Sequence, residues 1–432
     1  MLKKIFLLFF LLGLSGSFLF FPDNFFSKER LISTITVSRA EKNSKTTFFT
    51  LSDKIREGQE LLKRSAPLGY TKKTKVIGKK TVELKELARQ EIALVILDTQ
   101  TGSVFEKRYW LDADEIKKAD KIRRNYTENE NNLPSFVFKG PGEEFVVTVN
   151  WWNHFNSDLS LVRLSALVEL ELEKGRFLVV ANKFLSKNSN LAYVEDQTGP
   201  EYSDIVYTPY SLAVHSPELI TQGKFFLENH VEMAFAKLLE LQVPSRAFPG
   251  RLAADTISHQ FVKNLFLVEQ TDPKMMFLSE DGGLKLAERV FVRLGANQEK
   301  TFRYTFSKTG ALGLGQIMPR TYASIVKAYP SAILIKDINM GRVDIQNGIM
   351  ASVLTLDDHL ATTFRKMSKA QRTKFEAKLK TNPDFINEVR AAVYNGGPGK
   401  YLTATASLSL KNNETVGFLK KYRMIRDLKL FD

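Results

Sequence analysis

The chain has 432 residues, too many for one typical hydrophobic core, so two domains with accessory segments are expected. Its 44% hydrophobic and 25% charged residues exclude both a disordered chain and a polytopic membrane protein. The lack of any cysteine excludes disulfides, thiolate metal ligands and cysteine nucleophiles, and the net charge of +14 falls mainly on residues 246–432, with 29 Lys+Arg against 17 Asp+Glu.

Along the chain, Lys3 and Lys4 precede "IFLLFFLLGLSGSFLFF", an uncharged run over residues 5–21. That order is expected of a secretory signal peptide or an N-terminal anchor. As a helix the run would reach roughly 25 Å, close to the ~30 Å of a bilayer core. No A-x-A cleavage site follows it, so residues 1–24 are read as an anchor or, alternatively, a removed signal. Either reading places the body outside the cytoplasm, in a bacterial cell envelope and facing the periplasm, with the cytoplasmic membrane as a partner through this segment. A basic surface there suits an anionic envelope polymer or lipid headgroups better than nucleic acid.

Residues 25–90 are polar and lysine-rich, with Lys72, Lys73, Lys75, Lys79 and Lys80 in one run, and read as a solvated connector. From residue 91 to 215 the pattern is that of strands in an antiparallel α+β domain. "EIALVILD" has strand length, "EEFVVTVNWW" is rich in β-branched and aromatic residues, and "ALVELELEKGRFLVV" alternates about a Lys174-Gly175 turn. At residue 216 the character changes. Ser216 and Pro217 make an N-cap and first helical position for a long helix, and residues 216–432 are expected to be mainly helical. One interruption is expected: "RVFVRLGANQEKTFRYTFS" alternates on either side of Gly-Ala-Asn and predicts a β-hairpin. The fold class is thus α+β.

The chemistry-bearing residues narrow by exclusion. Histidines 154, 215, 230, 259 and 359 show no metal-ligand spacing, the glycines at 310, 313 and 315 give GxxGxG without a following Walker lysine, and the SxxK at Ser324 lies on the wrong side of a KTG box. No metal and no cofactor is expected. The run "SKTGALGLGQIMPRTY" (307–322) is the positive signal, because three glycines in six positions are too costly for a helix interior, each losing roughly 1 kcal/mol against alanine. Glycines of this kind let a chain or ligand approach the backbone closely, and Gln316 beside them offers both a donor and an acceptor.

Three segments in one order resemble the lytic transglycosylases of the soluble-transglycosylase, goose-type lysozyme-like family. "GALGLGQIMP" is similar to their GAxGLMQxMP, "AAVYNGGPGKY" (391–401) to AAYNAGPGxV, and "ETVGFLKKY" (414–422) to ETxxYVxxV. The helix "DIQNGIMASVLTLDDHL", with Ile345, Ile349, Val353, Leu356 and Leu360 on one face, fits the helix expected between the first two. The resemblance covers the C-terminal part only. It implies a lysozyme-like helical fold over residues 216–432, peptidoglycan glycan strands as partner and substrate, Tyr394 beside the catalytic acid, and Ser307, Gly313, Gln316, Asn395 and Glu414 as substrate or cleft contacts. Gly315 and Gly396 depart from the family's Met and Ala, which puts the shape of the subsites in question.

The acid itself departs from the pattern, since the chain has no Glu-Ser pair. Glu269 closes a helix on which Ile257, Phe261, Leu265 and Glu269 follow at i+4 steps. Burial at the end of that apolar stripe would raise its pKa, as a carboxyl that must hold a proton at neutral pH requires. Glu299, eight residues before Ser307, is the alternative, although the predicted hairpin leaves it in an exposed turn. No second catalytic carboxylate is evident, whereas most glycosidases use two. The resemblance implies a single glutamate acting as acid and then as base, so that the 6-hydroxyl of MurNAc closes on C1 and leaves a 1,6-anhydro end. A hydrolytic muramidase on the same fold and an inactive wall-binding scaffold remain as alternatives.

Overall fold

The computed structural model describes residues 49–78, 80–112, 136–138, 145–151, 158–163, 176–188, 198–304, 307, 309–398, 401–402, 407–408 and 413–432. It is a mixed α+β architecture, with an antiparallel sheet region followed by a mostly helical C-terminal region. Helix α1 (Leu51–Arg64) starts at Thr50, whose side chain accepts from the Asp53 N–H, and buries Leu51, Ile55 and Leu62. The main sheet holds β1 (Tyr70–Ile77), β2 (Lys80–Asp98), β3 (Val104–Asp112), β7 (Phe177–Lys187) and β8 (Tyr202–Tyr207). Its order is β1-β2-β7-β8, with β3 on the other edge of β2 and every pairing antiparallel. β4 (Phe136–Phe138), β5 (Phe145–Trp151) and β6 (Asp158–Arg163) form a separate three-stranded sheet.

Much of the expected connector is structured. Residues 51–90 supply α1, β1 and the first half of β2, because the stripe on α1 is apolar at helical spacing and closes over Val95 and Val180 of the sheet. Lys75 and Lys80 of the β1–β2 ribbon are exposed, and Lys72 pairs with Glu201 at 2.7 Å.

The helical region contains α2 (Pro217–Glu240), α3 (His259–Gln270), α4 (Pro273–Leu278), α5 (Leu284–Asn297), α6 (Pro319–Ala328), α7 (Ile338–Val343), α8 (Ile345–Arg365), α9 (Lys369–Thr381), α10 (Phe385–Gly396) and α11 (Asn413–Asp427). The short pair β9 (Tyr401–Leu402) and β10 (Ser407–Leu408) lies between the last two. Ser216 caps α2 from its side chain, with Pro217 in the first turn, as the sequence predicts.

The predicted hairpin at 289–307 is corrected: it is helix α5, a short 3-10 turn over Gln298–Lys300 and further turns over residues 301–304. Its apolar residues do not form one stripe because the helix is buried on two sides. Val292 and Ala296 enter the core beneath the sheet, while Val290, Phe291 and Leu294 enter the helical core. A strand-like alternation results from a helix with two buried faces. Its last residue, Asn297, accepts from the Thr208 N–H at 2.8 Å and donates to the Thr208 carbonyl at 3.0 Å.

Among the described residues no helix is long and apolar enough to cross a membrane. The longest, α2 with 24 residues and α8 with 21, are core helices that carry Glu228, Glu232, Asp357 and Asp358 along their length. The expected membrane anchor, the membrane as partner and the envelope location are corrected accordingly. Residues 1–24, on which they were placed, lie outside the described residues. The expected partnership with peptidoglycan glycan strands is corrected as well, since nothing among the described residues is evidence of glycan binding.

Candidate active site

The site is built on the C-terminal turn of α3. Ser258 caps the start of that helix by accepting from the Phe261 N–H, and residues 261–268 are all buried, so the helix runs through the core. Glu269 is the first side chain after this stretch to reach partial exposure. Its carboxyl accepts no hydrogen bond among the described residues. Burial pushes its pKa up to about 8, Lys421 draws it down and Glu414 raises it. At neutral pH it therefore holds a proton that nothing else in the site binds.

Gln270, the next residue, joins α3 to the glycine run: its side-chain amide donates to the carbonyls of Gly313 (3.1 Å) and Leu314 (2.8 Å). The run itself is a compact loop. The Leu312 and Ile317 backbones bond to each other, and Gln316, with φ of 47°, turns its side-chain amide back to Gly313 O at 2.8 Å. The Gln316 side-chain oxygen is left pointing to no described donor. Arg342 in α7, almost fully buried, braces the loop from behind by donating to Gly310 O (2.7 Å) and Ile317 O (3.0 Å). Gly313 has φ of 75°, and a Cβ there would overlap the Arg342 carbonyl oxygen. A Cβ at Gly315 would overlap Ser352 Oγ. Both glycines thus serve the approach of protein backbone and side chains, not of a ligand alone. At Gly315 the small residue makes room for Ser352 and Tyr394.

Tyr394, on α10, donates to Gly315 O at 2.6 Å and lies 3.1 Å from Ser352 Oγ, whose own hydrogen goes to Gly348 O. Burial first, and the nearby Glu269 second, push its phenol well above the ordinary tyrosine range, so it stays protonated. Asn395 accepts from the buried Thr415 hydroxyl at 3.1 Å, which fastens α10 to α11. Glu414, in the first turn of α11, is exposed on the side from which Glu269 feels its charge. Ser307 closes its own turn: its hydroxyl accepts from the Ala311 N–H at 2.9 Å and lies 3.0 Å from Thr309 Oγ1.

Tyr394 bonds to the glycine loop at Gly315, Gln270 ties the end of α3 that carries Glu269 to Gly313, Gln316 turns back on Gly313, and Asn395 is held to Thr415, the neighbour of Glu414. Glu299 stands apart, exposed in the 3-10 turn after α5, where its charge is felt by His230 of α2. Gln270, Arg342, Ser352 and Lys421 were missed by sequence reasoning. Of these only Gln270 carried a signal, as the neighbour of the acid. A hollow of ~520 Å³ lies beside the sheet, away from Glu269 and the glycine loop, and its central polar groups are bonded to one another: Lys183 donates to Ser65 O and Ala66 O and pairs with Asp204.

No protein-family model, no curated protein and no solved structure matches the chain.

Proposed function

We propose that the chain is a peptidoglycan lytic transglycosylase whose helical region, residues 216–432, has a lysozyme-like arrangement. The observation that carries this reading is the isolated, protonated Glu269 carboxyl beside the glycine loop and Tyr394. A general acid must be near the leaving oxygen and hold its proton at working pH, and burial supplies the second condition.

In the proposed reaction Glu269 protonates the oxygen linking MurNAc C1 to GlcNAc as the C1–O bond breaks. The carboxylate so formed takes the proton from the C6 hydroxyl of the same MurNAc while that oxygen bonds to C1. Each cut returns Glu269 to its starting state and adds no water. The nucleophile belongs to the substrate, so its effective concentration is high without a bound water. The rigid loop held by Gln270 and Arg342 offers the Gln316 oxygen to the sugar. Tyr394 fixes the loop against the acid, and Ser307 and Asn395 hold the loop and the α10–α11 junction.

Hydrolysis is the second reading, and Glu414 is the observation that favours it. Among the described residues it is the carboxylate whose charge Glu269 feels, and a second carboxylate is what a hydrolase uses to activate water. The function is tested by incubating purified peptidoglycan with the full chain. Release of soluble muropeptides is expected; none, from a folded protein, would leave the inactive scaffold as the reading.

A further inference from the structure

Lys421 is an unusual residue to find in a core. It lies on α11, is 6% exposed, and makes no ion pair within 4 Å among the described residues. Its ammonium donates instead to the carbonyls of Val268 (2.6 Å) and Thr271 (2.7 Å), the residues that bracket the Glu269-Gln270 pair. The last carbonyls of a helix have no partner within it. In α3 they are supplied by Lys421 and by the Thr271 hydroxyl, which donates to Leu267 O at 2.9 Å. A cation at a helix C-terminus is favoured by the partial negative charge there, which helps to hold an ammonium without a carboxylate.

We infer that Lys421 is a positioning residue for the proposed reaction: it locks the turn that aims Glu269 and supplies the unneutralised positive charge that stabilises the Glu269 carboxylate once the proton has left. The inference rests on the transglycosylase reading, in which Glu269 must ionise and recover its proton within each turnover. The two requirements conflict. Burial keeps the carboxyl protonated in the resting enzyme but would also make its anion hard to form. An ammonium fixed on the carbonyls of Val268 and Thr271, and not on the carboxyl, offsets the second effect without a direct bond that would immobilise the acid.

The groups acting on this balance come from each element packed there. Glu269 feels Lys421 and Glu414 from α11, and its charge is felt by Tyr394 from α10; Lys421 feels Glu269 and also Asp272, the cap of α4. Burial lowers the Lys421 pKa, and the two carboxyls oppose that shift, which keeps the ammonium charged at neutral pH. Asp272 is already committed to the Lys274 and Met275 N–H groups, and among the described residues Lys421 is the cation whose charge Glu269 feels.

The test uses Lys421→Gln and Lys421→Arg in the full chain, with muropeptide release followed from pH 5 to pH 10. Glutamine can still donate to the carbonyls but carries no charge. We expect its kcat to fall at least about tenfold and its KM to change less than about threefold, and the alkaline limb of kcat to move up by about one pH unit, since an acid without its cation holds the proton longer. Arginine keeps the cation, so its alkaline limb should stay at the wild-type position even if kcat is reduced. An unmoved limb in a folded Lys421→Gln variant would overturn the inference and leave Lys421 as a helix brace. If that variant does not fold, the arginine variant decides: a limb displaced despite the retained charge overturns the inference, and an unmoved one supports it. Activity retained in Glu269→Gln would instead sink the transglycosylase reading itself, so the two failures are distinguishable.

Discussion

Glu269 joins a cost in stability to a gain in chemistry. Unfolded, its carboxyl ionises near 4.5; folded, it keeps its proton up to about 8. Between those values the native state binds a proton that the unfolded state has released, so stability falls as pH rises through the window, at most by about 1.4 kcal/mol per pH unit. Below 4.5 both states are protonated and the contribution is flat. Glu269→Gln removes the titration. In urea denaturation the variant should be more stable than wild type at pH 8 and should lose less stability between pH 5 and pH 8. Identical pH dependence in the two proteins would mean the carboxyl is not buried as described. The same substitution should abolish muropeptide release, because an amide keeps the shape but cannot transfer a proton. Glu299→Gln, at an exposed carboxyl of the 3-10 turn, should stay within about tenfold of wild type, and a reversal of the two results would assign the acid to Glu299.

At the scale of elements, α5 decides how the sheet region and the helices share a core, and it is the element that sequence reading mistook. Hydrophobic periodicity identifies a helix when one face is buried, as α2 and α8 are correctly identified, and it fails when opposite faces meet two cores. The caps were legible where they are local, as at Ser216 and Pro217. The pairing of Asn297 with Thr208 was not, since it joins residues 89 positions apart. Asn297→Ala leaves both backbone groups of Thr208 buried without a partner, for an expected loss of about 2–4 kcal/mol. Chemical denaturation measures it directly. A loss below about 0.5 kcal/mol, the range of ordinary surface substitutions, would show that the junction at α5 carries little of the stability.

Over the whole molecule, the fold joins short-range motifs in two places: Tyr394 bonds to Gly315 of the glycine loop, and Asn395 bonds to Thr415 beside Glu414. Glu269 was legible because an apolar stripe ends on it. The parts that give the site its rigidity were not legible, because Gln270, Arg342, Ser352 and Lys421 act through tertiary contacts to backbone carbonyls or to another side chain, and no spacing in the sequence encodes those. The glycines show the same limit, since their number signals close approach but not what approaches. The central claim, that one carboxyl cuts a glycan without water, is tested most directly by the mass of the products. Ring closure by the MurNAc 6-hydroxyl leaves 1,6-anhydro ends, about one water lighter than hydrolytic ends and inert to borohydride. Mass spectrometry of digested peptidoglycan before and after borohydride should show unreduced anhydro termini throughout. A majority of reducible, hydrated termini would contradict the account and assign the chain to hydrolysis, with Glu414 the first candidate for activating the water.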